Sequence, residues 1–372
     1  MAPSIRVIGS LNVDMVSVTP RFPGPGETLT ATSFTTSPGG KGANQAVACG
    51  RLSRSRSSPS SSSLSDVLAN VEMVGAVGQL DAHFGTLLQP TLANSGVSTE
   101  RVRRIDDEHT GVAVIIVDTS AAGENRILFS PNANYSGMKP TDEVISQSLS
   151  TPLPDLIVLQ AEIPIDTVIG ILGGVAAKRK LQESDVEVVF NPAPAPEGGL
   201  PDDVYAAVDH LIMNETECDL MAPKELRDSS LSQEERRNEI AVHFHALGVR
   251  YVIVTLGAKG VWYSAAEPGK VAQQDASKWF RSVNEVPASK VDKVVDTTAA
   301  GDTFVGGYCV QIAQWREQRR IAGKACSALT ADEWKDRHVS VTEEAVRCGT
   351  RASAQCVQRS GAMDSIPFRD EI

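Results

Sequence analysis

Apolar residues recur along this chain in two rhythms. Short unbroken runs at 5–8, 71–77, 156–159, 186–190, 211–213 and 252–255 have the length and β-branched content of strands buried on both faces. Between most of them lie stretches with apolar residues at helical spacing, at 43–52, 84–95, 165–181 and 234–247. Strands alternating with helices predict an α/β fold, a three-layer α/β/α domain around a largely parallel sheet. Ligands of such sheets bind beyond the carboxyl ends of the strands. Several polar motifs stand at those ends, beginning with Asn12 and Asp14 after the first run.

Two segments break the rhythm. Residues 27–37 and 101–118 are rich in Thr, Val and alternating positions and have no adjacent helix pattern. They read as strands of a small antiparallel sheet projecting from the main domain, with lid strands within about 12–40 and 97–130. Such a sheet beside a site excludes water. The alternative is that they are edge strands of the main sheet. The run SRSRSSPSSSSLS from Ser53 to Ser65 cannot bury apolar surface and predicts a flexible loop over 53–66. Residues 322–341 read as a partly helical surface elaboration. There is no internal repeat, and the 372 residues are expected to form one domain.

Charge and composition exclude some functions. A net charge of -11 opposes broad binding to a nucleic-acid backbone. No apolar run is long enough to span a bilayer, and the N-terminus enters a strand pattern without the make-up of a signal peptide. The six cysteines are scattered without a CxxC pair, which suits free thiols in a reducing cytosol. The expected compartment is the cytoplasm, with the nucleus open as a second. His243 and His245, the two closest histidines, are spaced for opposite helix faces, which speaks against a zinc site.

The most informative run is Asp296-Thr-Thr-Ala-Ala-Gly-Asp-Thr-Phe304. Small residues open a helix there and leave its first N–H groups bare, which attracts anions. Asp302 inside that site fits proton removal from a hydroxyl attacking a phosphoryl group. An Asp in a first helical turn is also common for structural reasons. The run Gly39-Gly-Lys-Gly-Ala-Asn-Gln-Ala46 has neither P-loop nor GxGxxG spacing. Together with Asn12 and Asp14 it offers donors and acceptors suited to sugar hydroxyls. Asn214-Glu-Thr-Glu217 reads either as a ligand site or as a helix N-cap with an acidic first turn. Thr255-Leu-Gly-Ala-Lys-Gly260 reads either as a phosphate-facing turn or as a hairpin.

GGKGANQA and DTTAAGDTF, at opposite ends of the chain, resemble the two signatures of the ribokinase (PfkB-type) carbohydrate kinase family. NPAPAPE, NETE and TLGAKG resemble its other motifs, in the same order, so the resemblance runs from Ile5 to about Pro367. It is strongest to the ribose-phosphorylating members. The resemblance implies that Asp302 is the base and that Ala299, Ala300 and Gly301 form the anion hole. It implies that Asn12, Val13, Asp14, Gly40, Lys41, Gly42, Ala43, Asn44 and Glu162 bind sugar. Asn214, Thr255, Leu256, Gly257, Ala258, Lys259 and Gly260, with Gly301 and Asp302, match nucleotide-binding positions. Asp296, Thr298, Cys356, Arg359, Gly361 and Ser365 match a monovalent-cation site. The implied cofactors are ATP, Mg²⁺ and K⁺, and the implied reaction is phosphorylation of D-ribose at its 5-hydroxyl.

The chain departs from the family pattern in its Ser-rich insertion, in Met213 before Asn214, and in Met363-Asp364 within the cation loop. Alternatives are a kinase for deoxyribose, fructose or a nucleoside such as pseudouridine, and a non-catalytic sugar sensor. Val112, Val114 and Ile116 give the lid apolar residues but few aromatics, which favours a small sugar over a nucleoside. A hydride-transfer enzyme is disfavoured because GxGxxG does not follow the first strand. An apolar lid face also predicts a homodimer paired through the lid.

Overall fold

The computed structural model describes residues 2–56, 67–120, 124–182, 184–267 and 280–372. Most of the Ser-rich segment expected as a flexible loop lies outside the described residues. In chain order the strands are β1 (Ser4–Ile8), β2 (Asn12–Thr19), β3 (Ser33–Gly39), β4 (Asn70–Gly78), β5 (Val97–Ile105), β6 (Gly111–Asp118), β7 (Glu124–Ser130), β8 (Leu156–Leu159), β9 (Glu187–Phe190), β10 (His210–Asn214), β11 (Tyr251–Thr255), β12 (Val261–Ala266) and β13 (Arg281–Val286). The α-helices are α1 (Lys41–Leu52), α2 (Gln89–Asn94), α3 (Ala133–Ser136), α4 (Asp142–Ser148), α5 (Ile165–Lys180), α6 (Glu215–Met221), α7 (Lys224–Arg227), α8 (Gln233–Ala246), α9 (Ala300–Ile321), α10 (Ala331–Asp336) and α11 (Thr342–Cys356).

Nine strands form one sheet in the order β13-β12-β11-β10-β9-β8-β1-β4-β5. The pairs from β5 to β11 are parallel, and β12 and β13 add antiparallel. Alternate residues feed two cores. Ile5, Val7, Leu156 and Val158 pack with α1, α9 and α11, whereas Ile8, Ile157 and Leu159 pack with α5 and α8. Both faces are therefore apolar, which is why these strands read as unbroken runs. Chain order reverses between β1 and β8, and that switch opens a crevice beyond their carboxyl ends.

A second sheet of four strands, in the order β3-β2-β6-β7, projects beside the crevice. It corrects both lid segments expected from the sequence. Only 33–37 of the first is strand, the start of β3. Residues 27–32 form a turn and loop, where Glu27 accepts from the Gly24 N–H at 2.9 Å and pairs with Arg21. Of the second, 111–118 is lid strand β6, but 101–105 belongs to β5 and pairs parallel with β4 at the edge of the main sheet. Arg101, Arg103 and Arg104 give that strand the charged, half-exposed pattern of an edge. No helix among the described residues is long and apolar enough to cross a membrane.

Candidate active site

Helix α9 begins without a side-chain cap, because Ala299 stands at the N-cap position. Ala299 takes a left-handed conformation (φ 59°), a costly one for a residue with a Cβ. The turn lets the Ala300 N–H donate to the Thr297 carbonyl at 3.2 Å. The N–H groups of Ala299, Gly301 and Asp302 donate to no protein group among the described residues, and all three residues border a cavity of about 330 Å³. Unpaired N–H groups at the start of a 22-residue helix form an anion-attracting floor.

Helix α1 supplies the partners of Asp302. Gly306 lies against it so tightly that a Cβ there would sit 2.3 Å from the Ala48 Cβ. This close approach brings α1 amides to the Asp302 carboxylate. Asn44 Nδ2 donates to Asp302 Oδ2 at 3.0 Å and Gln45 Nε2 donates to Oδ1 at 2.9 Å. Asp302 is only 6% exposed, so these bonds hold it where few water molecules reach. Asn44 Oδ1 is buried with no protein partner. Helix α1 starts at Gly40 (φ 92°), where any Cβ would lie 2.7 Å from the Asn12 backbone nitrogen.

The Glu162 carboxylate sits beyond β8 and gathers three elements. It accepts from Ser10 Oγ at 2.6 Å, Asn12 Nδ2 at 3.3 Å and the Lys41 N–H at 3.0 Å. The buried Asn134 holds the β1–β2 connection. It accepts from the Leu11 N–H at 2.9 Å and donates to Asn12 Oδ1 at 2.7 Å. Asn12, Asp14, Lys41, Asn44, Glu162 and Asp302 thereby converge from four chain segments.

Charge in this cluster is unbalanced. Asp14, Glu162, Glu217 and Asp302 face Lys41. Burial, then the charges of Glu162 and Asp302, push the Asp14 carboxyl up to about 6. Burial also pushes Glu217 up, against the Asn214 N–H and Lys41. Burial alone would lower Lys41, but Asp302, Glu162, Glu217 and Asp14 outweigh it and hold the ammonium above its usual range. Such a site favours ligands that bring hydroxyl donors or cations.

On the far wall of the cavity, Asn214 and Glu217 form a capping box at the start of α6, with bonds of 2.8 and 2.9 Å. The helix-cap reading of that motif is therefore met, and both residues line the cavity as well. Thr255 lines it too. The rest of its motif does not: Leu256 is buried, Gly257–Lys259 is an exposed turn, and Gly260 packs under Val286 and Pro287 in the β11–β12 hairpin. Behind the anion floor, the Asp296 carboxylate accepts from the Thr298 and Gly361 N–H groups, each at 2.9 Å. Burial would raise this carboxyl, but those bonds hold it below its usual range. Cys356 Sγ lies 3.6 Å from the Thr298 carbonyl and 3.1 Å from Ser365 Oγ, so the two loops meet. The Arg359 guanidinium points elsewhere and pairs with Glu371 at 3.1 Å. No cluster of three or more His, Cys, Asp or Glu suited to a metal occurs among the described residues.

Residues 2–369 match the pfkB family carbohydrate kinase description. The chain belongs to the pfkB carbohydrate kinase family. It is 34% identical over 372 residues to a ribokinase of Schizosaccharomyces pombe, covering 99% of this chain and 96% of that one. Its fold matches a ribokinase of Thermotoga maritima at a TM-score of 0.69 and 30% identity, covering 99% and 97% of the two chains. It also matches an Arabidopsis thaliana ribokinase complexed with ribose and ATP, at a TM-score of 0.70 and 27% identity, covering 100% and 97%.

This carbohydrate kinase transfers phosphate to a hydroxyl. Residues that support its site but escaped the sequence reading are Ser10, Asn134 and Gln160, with Gln45, Asn191 and Thr297 seen only as letters of motifs. Asn191 Nδ2 donates to the Ile212 carbonyl and Gln160 Nε2 to Gln45 Oε1, at 2.9 and 2.6 Å. Their signal, where one existed, was position just beyond a strand's carboxyl end. Asn134, in the short helix α3, had none.

Proposed function

We propose that this chain is an ATP-dependent ribose kinase that forms D-ribose 5-phosphate and ADP. The observation that carries the reading is the placement of Asp302. Its carboxylate is fixed by two amides of α1, and the unpaired N–H groups of α9 lie beside it. The sugar lies between Asp14, Asn44, Gly40, Lys41 and Glu162, with its terminal hydroxyl toward Asp302. Asp302 removes the proton of that hydroxyl as it attacks the γ-phosphoryl group. The N–H groups of Ala299, Gly301 and Asp302 stabilise the charge on the transferred phosphoryl oxygens. Lys41 adds a positive charge at the same place. The names of the relatives support ribose as the acceptor, and the ribose and ATP in the Arabidopsis complex support both ligands.

The nucleotide lies toward Asn214, Thr255 and the Gly257–Gly260 turn. Asn214 and Glu217 fit the water shell of Mg²⁺, which would neutralise the ATP phosphates. The oxygen donors around Asp296, with the carbonyls of Thr298, Cys356, Arg359 and Gly361 and the Ser365 hydroxyl, suit K⁺. Asp296 joins both loops, so a cation there would order the turn that carries the anion floor. We also place a dimer contact on the lid. Its outer strands expose Phe34 (60%), Ile127 (56%), Leu128 (66%) and Phe129 (41%). Light scattering should give a dimer that Leu128→Asp converts to a monomer; a monomeric native protein ends that part of the reading.

The deciding experiment is ADP release with ATP, Mg²⁺ and D-ribose, in potassium and then in sodium. Ribose-dependent turnover, faster in potassium, is expected. Turnover with another sugar or a nucleoside but not ribose would overturn the substrate. Sugar binding with no ADP release from any acceptor would replace the kinase with a sensor.

A further inference from the structure

Asn44 and Gln45 both donate to Asp302, but their surroundings differ. Asn44 keeps its oxygen without a protein partner, ready for a ligand. Gln45 is 0% exposed, and each of its polar atoms is engaged inside the protein. One hydrogen of its NH₂ group goes to Asp302 Oδ1 and the other to Asn191 Oδ1, both at 2.9 Å. Its Oε1 accepts from Gln160 Nε2 at 2.6 Å.

The orientation of these amides is dictated from one end. The Ile212 carbonyl can only accept, so Asn191 must turn Nδ2 toward it. That leaves Asn191 Oδ1 facing Gln45, which must answer with its NH₂. Gln45 therefore turns Oε1 to Gln160 and its second N–H to Asp302. The relay starts at the backbone of β10, passes through residues beyond β9 and β8, and ends on the carboxylate. It contains no titratable group.

We propose that Gln45 is the positioning residue of the base: its amide, locked by Asn191 and Gln160, fixes the plane of the Asp302 carboxylate without touching either substrate. This rests on the reading of Asp302 as the base. An isosteric carboxylate at position 45 would face two acceptors, Asp302 Oδ1 and Asn191 Oδ1. It could stay there only by sharing a proton with Asp302. The other charged or titratable groups facing Asp302 are Lys41 on α1, Asp14 on the lid, Glu217 on α6 and Cys356 on α11, with Glu162 beyond β8 acting on Lys41 and Asp14. Asp14 titrates in the working range, so the profile is recorded in both the native and the Asp14→Asn background.

The test compares Gln45→Leu, Gln45→Glu and Asp302→Ala by kcat, sugar KM and pH–rate profile. Gln45→Leu should lower kcat about 100-fold, a loss typical of a misplaced catalytic group, with KM within about threefold. Gln45→Glu should move the acid limb of kcat up by about one pH unit or more and regain rate on the alkaline side. A purely structural role would lower stability and leave the limb in place. If Gln45→Leu does not fold, Gln160→Met frees the amide from its far end and should cost about tenfold in kcat. An unmoved acid limb in Gln45→Glu, with kcat within threefold in the other Gln variant, overturns the inference. Turnover retained by Asp302→Ala would instead overturn the base assignment, whatever the Gln45 variants do.

Discussion

Strands β9 and β10 start on the buried polar residues Glu187 and His210 and run out into Asn191 and Asn214, and the two ends are built by opposite rules. At their starts, the Glu187 carboxylate accepts from Arg316 at 2.8 Å, Arg337 at 2.9 Å and His210 Nε2 at 2.8 Å. The other nitrogen of His210 meets the Tyr308 hydroxyl at 2.8 Å. Burial would raise Glu187, but Arg337 and Arg316 outweigh it and hold the carboxyl well below its usual range. At their far ends, Asn191 and Asn214 border a site where Asp14, Glu162, Glu217 and Asp302 share Lys41. One end of the sheet cancels its charge internally. The other leaves negative charge for an incoming ligand to complete. The scaffold is common to both, so the difference separates what the fold needs from what the chemistry needs.

The largest expected effects test that separation directly. Asp302→Ala should lower turnover about 10³-fold, within the range for losing a general base, while calorimetry still shows sugar binding. Near-normal turnover would mean the base lies elsewhere. Glu187→Ala should do the converse. Removing the carboxylate takes from the buried Arg337 guanidinium its ion-pair partner and leaves Arg316 only Asp185 and Asp155, and should cost about 3–5 kcal/mol of stability. The kcat of the remaining folded enzyme should stay within twofold. A large fall in kcat with an unchanged melting curve would show that the two ends are coupled.

Proton linkage should distinguish the two ends by sign. Asp14 has its folded pKa raised to about 6, so its contribution is full below its ordinary value of 3.8 and is lost as pH rises through about 6. Asp14→Asn should therefore stabilise the ligand-free protein at pH 7 relative to pH 4, by up to about 3 kcal/mol. It should also remove any rise in sugar KM as pH falls through about 6. Glu187 is depressed, and burial lowers His210, so both contribute stability that is lost as pH falls. Melting curves from pH 4 to 8 that slope the same way in Asp14→Asn and the native protein would break this part of the comparison.

The ends also differ in how far the sequence discloses them. The buried runs announced the parallel sheet because strands covered on both faces need no alternation. The lid was misdrawn where local chemistry is ambiguous. Arg101, Arg103 and Arg104 suit an edge of either sheet, and only the pairing of 101–105 with β4 decides between them. Short motifs drew attention to Asp302, Asn44 and Lys41, and the family resemblance to Asp296, since a short run carries its own local geometry. It could not disclose the relay, because the Gln45–Asp302 bond joins positions 257 apart and the Gln160–Gln45 bond positions 115 apart. The Glu187 hub was invisible for the same reason. Its Arg residues lie on α9 and just after α10, which read as ordinary charged helix surface.

The smallest effect is expected where the two rules meet, in the loop behind the anion floor. Asp364 adds an exposed carboxylate one residue from Ser365 in the proposed cation loop. Where four carboxylates of the site share one lysine, Asp364 has a guanidinium near it. The Arg51 guanidinium donates to the Met363 and Ile366 carbonyls on either side of it, at 2.6 and 2.9 Å, and feels the charge of Asp364. The loop is thus held by α1 through backbone oxygens, and the side chain of Asp364 mainly offsets Arg51. An exposed charge also acts weakly through water. Asp364→Asn should therefore change the potassium concentration for half-activation by about twofold, toward weaker binding, with kcat at saturating potassium unchanged. A tenfold shift would place Asp364 among the groups that hold the cation, and no shift at all would remove it from the site's charge balance.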